Sequence, residues 1–137
     1  MAYREKLAAV NFTAMALVYA VYFTIVATRP PEARLLDMLW LFGMVATAHA
    51  LVAIGGNLAV RIQSGGGAAD ERDRAIERRG ASIAYAVLLV GMILVGVVMP
   101  FTEAPGKIVN TALFAIVIAE LTHQGVILLS YRRGWHG

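Results

Sequence analysis

The 137-residue chain has no cysteine. Disulfides, thiolate catalysis and Cys-ligated zinc or iron–sulfur sites are therefore excluded. Charge is scarce too: Asp, Glu, Lys and Arg make up 15% of the residues, against about 25% in an ordinary soluble domain. The few charges are clustered, which leaves four long windows almost free of them. The glycines of R-I-Q-S-G-G-G-A-A (61–69) are no phosphate loop, because no Lys-Ser/Thr follows and no strand precedes them. There is no Ser/His/Asp set and no pair of in-membrane carboxylates. Neither hydrolase nor ATPase machinery is predicted, and no catalytic residue is assigned. The sequence pI of about 9.6 does not point to nucleic acid: the formal charge is only +3, and no aromatic-interleaved basic face exists.

What is present is apolar. Hydrophobic residues make up 59% of the chain and the mean hydropathy is +0.68. Each apolar window is long enough to cross a hydrocarbon core of ~30 Å at ~1.5 Å per residue. The pattern predicts an all-α membrane protein: one domain of four transmembrane helices, packed as an antiparallel bundle. The expected helices span about 7–28, 35–60, 70–99 and 108–131, with a flexible cytoplasmic linker at 61–69. Arg29-Pro30-Pro31 closes the first segment, which is read as a retained helix rather than a cleaved leader. Ala9, Thr13, Ala16, Ala20 and Ala27 on the first segment form a small-residue stripe suited to close helix contact. Gly43, Ala46, Ala50, Ala53 and Asn57 do the same on the second.

Orientation follows from Lys and Arg. Two lie in the N-terminus, five in 61–79 and two at the C-terminus, against two and one in the other turns. Nine against three places both termini and the charged centre in the cytoplasm of an inner membrane. Tyr3, Trp40, Tyr131 and Trp135 read as interface anchors. A weak repeat at an offset of 71 aligns Glu32-Ala33 with Glu103-Ala104, Arg61 with Arg132, and His49 with Glu120.

The densest charge is D-E-R-D-R-A-I-E-R-R-G, Asp70–Gly80. Asp70 is a good N-cap and Asp73 its box-like partner, with acids in the first turn and arginines later, as the helix dipole favours. Together with the close L-L-S-Y-R-R-G, this stretch resembles the signature of small, uncharacterised prokaryotic four-helix membrane proteins. The motif residues are Asp70, Glu71, Arg72, Asp73, Ile76, Tyr131, Arg132, Arg133 and Gly134. The resemblance covers mainly 70–134 and implies a fold without a mechanism.

Ionisable residues inside a bilayer are costly and are functional candidates by default. Three qualify. His49 and Glu120 each lie 12 residues before the closing arginine of their segment, about 18 Å along a helix and near the midplane. His123 follows Glu120 by one turn, so E-x-x-H offers carboxylate and imidazole together, and Tyr85 is placed to reach it. Four uses compete: a protonatable relay or solute site, a metal held by Glu120 and His123, a b-type haem between His49 and His123, or a mutually satisfied structural pair. A single E-x-x-H is too little for a di-metal site, and no cofactor is required. Asn11, Asn57, Ser82 and Asn110 are expected to be satisfied near the membrane boundaries. Arg72, Arg74, Arg78 and Arg79 are expected to meet lipid phosphates or a cytoplasmic partner. Two functions follow. One is an accessory or regulatory protein working through its charged elbow. The alternative is a proton-linked small-solute transporter, or a haem- or metal-binding module, alone, as a homo-oligomer or within a larger membrane complex.

Overall fold

A computed structural model describes residues 3–29 and 34–135. The helices are α1 (Tyr3–Thr28), α2 (Leu35–Ser64), α3 (Glu71–Ile93) and α4 (Pro105–Arg132). All four are long and apolar enough to cross a membrane, α3 together with its extension to Phe101. Among the described residues there is no strand. The Pro30–Ala33 turn, with Glu32-Ala33 of the repeat, lies outside them.

Local chemistry sets the ends. α2 runs four residues further than expected and stops where Gly65 takes φ 71°, the left-handed conformation that glycine adopts without steric cost. α3 starts at Glu71 under the expected box: Asp73 N donates to Asp70 Oδ1 at 2.7 Å, and Asp70 N donates to Asp73 Oδ2 at 3.3 Å. Beyond Ile93 the helix widens into a π turn (Leu94–Val98) and then a 3-10 turn (Met99–Phe101). Pro100 has no N–H to give and its ring would crowd the carbonyl four residues back, so the wider turn relieves both problems. Pro105 opens α4 at a position where the missing N–H costs nothing.

The helices stand in the spatial order α2, α1, α4, α3 rather than in a closed square. α1 packs on α2 and α4, and α3 packs on α4. Met15, Tyr19, Tyr22 and Val117 form the buried core, with Phe23, Phe42, Val45 and Leu121 around it. This corrects the small-residue stripe on α1: Thr13, Ala20 and Ala27 are exposed, and α1 turns Ala8, Met15, Tyr19 and Tyr22 inward. Close approach comes from glycines instead. A Cβ on Gly56 would meet Val10 at 2.7 Å, one on Gly91 would meet Ala115 at 2.6 Å, and one on Gly80 would meet His123 at 2.8 Å. Large apolar side chains such as Leu51, Ile54, Val97 and Ile116 remain exposed, in keeping with helices apolar enough to cross a membrane.

Candidate functional site: a polar cavity at mid-span

Three helices build one polar cavity of about 210 Å3 in the middle of the apolar spans. Asn11 and Met15 of α1 form its floor. His49, Ala53 and Asn57 of α2, and Glu120 and Gln124 of α4, form its walls. Each set recurs at four-residue spacing, so each lies on one face of its helix. The His49 ring stands edge-on to Tyr19 at 5.4 Å between centroids. Glu120 Oε1 accepts a hydrogen bond from Gln124 Nε2 at 3.0 Å and lies 3.6 Å from His123 Nδ1. The latter distance suits an ion pair or a bridging water better than a direct hydrogen bond.

Asn11 Oδ1, Asn57 Oδ1 and His49 Nε2 are buried, with no partner among the described residues. Each costs about 1–3 kcal/mol unless something polar reaches it. The cavity is too small for an organic solute, whose sites run to about 300–1,000 Å3. It has room for several waters, each occupying about 30 Å3 of liquid volume. A carboxylate and amide carbonyls around water suit a proton or one small cation.

The expected cluster is therefore brought together in part. His49 and Glu120 share the cavity, and His123 stands beside Glu120 but lines an adjoining space. Tyr85 does not join: it is two-thirds exposed (66%) on α3. A haem between His49 and His123 does not fit, because the two rings line different cavities of about 210 and 170 Å3. Among the described residues no group of three or more His, Asp or Glu is placed to hold a metal ion. Asn11, Asn57 and Gln124 were not read from the sequence as part of the site. The signal was there in Asn57, two turns from His49, and in Gln124, one turn from Glu120.

At the charged end, the motif residues hold one another. Arg133 N donates to Leu129 O, Gly134 N to Tyr131 O and Trp135 N to Ser130 O at 3.0 Å, with Gly134 at φ 65°. This Schellman closure turns Trp135 back onto α3. There its carbonyl accepts from Arg72 Nε at 3.0 Å, and Arg79 lies over its ring at 4.8 Å. The Tyr131 hydroxyl donates to Asp73, which also pairs with Arg4 at 3.3 Å. Arg74 and Arg78 are exposed and pair with no acid among the described residues. No family model, curated protein or solved structure matches this chain, so the reading of the site rests on its own chemistry.

Proposed function

We propose that this chain is a small multi-pass inner-membrane protein that takes up and releases a proton at Glu120, as the proton-linked module of an oligomer or a larger membrane complex. The observation that carries this reading is the grouping of Glu120 at mid-span with three buried, partnerless polar atoms, Asn11 Oδ1, His49 Nε2 and Asn57 Oδ1. The cavity's size favours a proton or a single ion over an organic solute. A neighbouring chain is favoured by Glu120 itself, whose side chain stays 47% exposed. A charge left facing lipid there costs about 2.5–3.5 kcal/mol or more, which a second chain across the opening removes.

The accessory reading through the elbow loses support from Arg72 and Arg79, which are engaged with Trp135. It keeps Arg74 and Arg78, placed to meet lipid phosphates or a partner. Antiparallel helices with both termini in the cytoplasm are supported by nine Lys and Arg against three. An impermeant thiol reagent should then modify Ser64→Cys from the cytoplasmic face and Ala104→Cys from the outer face. The reverse pattern rejects this orientation.

Dicyclohexylcarbodiimide is apolar and captures protonated carboxyl groups from within the bilayer. It is expected to form one adduct, located at Glu120 by mass spectrometry, more slowly as pH rises. Glu120→Gln should remove the adduct while the protein still folds, because Gln keeps the hydrogen bonding. A wild-type protein that stays unlabelled at Glu120 at every pH rejects the proposal.

A further inference from the structure

We infer that water reaches Glu120 from one end of the helices only, by a path that starts at the charged end beside Asp73 and Glu77 and passes His123. This rests on the reading of Glu120 as the protonated group and adds its route. A second cavity, of about 170 Å3, is framed by Arg4 of α1, Asp73 and Glu77 of α3, and His123, Ile127 and Tyr131 of α4. It shares Asn11 and Gln124 with the Glu120 cavity, so the two spaces adjoin at these side chains. His123 Nε2 and Asn11 Oδ1 are buried here without a partner among the described residues. A file of waters would satisfy both.

The far side is closed. Past Glu120 lie Met15 (6% exposed), Tyr19 (6%), Tyr22 (0%) and Val117 (2%), packed by Phe42 and Leu121. The Tyr22 hydroxyl is directed to Asn110, 3.2 Å away, beyond this layer. The opening at the charged end carries Asp73 and Glu77 beside Arg4, at an end where nine Lys and Arg outnumber five Asp and Glu.

His123 is placed to pass the proton on. A hydronium ion in the outer cavity gives a proton to Nε2 of the neutral ring and leaves as water. The Nδ1–H bond then breaks and its proton ends on Glu120 Oε1, 3.6 Å away, directly or through one water. The imidazole is left as its other neutral tautomer.

The natural absence of cysteine makes the route testable by single cysteines in the whole protein in vesicles. A small methanethiosulfonate added at the charged-end face should modify Gln124→Cys and Ile127→Cys, and the same reagent added at the far face should modify neither. Val117→Cys should react from neither face. Modification of Gln124→Cys or Ile127→Cys from the far face, or reaction of Val117→Cys, overturns the route. After a pH jump at the charged-end face, the Glu120 carboxyl infrared band should respond about a hundredfold more slowly in His123→Asn; an unchanged rate overturns the relay. If the carbodiimide adduct forms at Glu120 but neither cysteine is reached from the charged end, the route fails and the protonation reading stands. If the cysteines behave as expected and no adduct forms, the protonation reading fails and the relay fails with it.

Discussion

Asp73→Ala is expected to lower stability by about 1–3 kcal/mol, from the half-buried Tyr131 hydroxyl left without its acceptor and the loss of the reciprocal half of the capping box. The carboxylate serves three partners: Oδ2 accepts from the Asp70 amide and faces Arg4, and Oδ1 accepts from the Tyr131 hydroxyl. Removing it frays the start of α3 and releases α1 and α4 from it in one step. Equilibrium unfolding in detergent, followed by helical circular dichroism, measures the loss. Asp73→Asn keeps an acceptor for Tyr131 and should lose less than half as much. Equal losses in the two variants would mean that charge, not hydrogen bonding, holds this end together.

Gly80→Ala is expected to cost about 1–3 kcal/mol, the usual penalty for adding a methyl group to a filled contact. The new Cβ would stand 2.8 Å from His123 Cδ2, 3.1 Å from Ile127 Cγ1 and 3.2 Å from the His123 carbonyl oxygen. The backbone oxygen cannot swing aside, so α3 must back away from α4 or His123 must leave its place next to Glu120. Thermal unfolding should show the loss, and the carbodiimide reaction at Glu120 should change rate with it. Gly43→Ala is the comparison. Its Cβ would meet nothing within 4 Å, so the change should stabilise by about 0.5–1 kcal/mol through helix propensity alone. If the two variants shift stability alike, the close contact at Gly80 is not real.

Some of this was readable directly. D-E-R-D at 70–73 encodes its own capping box within four residues, and α3 begins at Glu71 as that local chemistry requires. Gly134 after Tyr131-Arg132-Arg133 signals a helix end, although it does not say that the turn will carry Trp135 onto Arg72 and Arg79. Glu120 and His123 were legible as a pair because one turn of helix places them together wherever the helix sits. Tyr85, one turn beyond Ala81, looked equally able to join them, and it faces outward.

The sequence by itself determined four apolar helices, the capping box that opens α3 and the three ionisable residues within the apolar spans, since each depends on chain-local spacing and on the cost of charge in hydrocarbon. Only the tertiary structure decided that α1 stands between α2 and α4, that Asn11, Asn57 and Gln124 join His49 and Glu120 around one cavity, and that Met15, Tyr19 and Tyr22 rather than Thr13, Ala20 and Ala27 face inward on α1. The reason is the solvent. Lipid is as apolar as the protein's own core, so hydrophobic periodicity does not mark the buried face of a membrane helix. Its rotation is settled by steric fit at glycines such as Gly56 and Gly80, and by which polar atoms find one another.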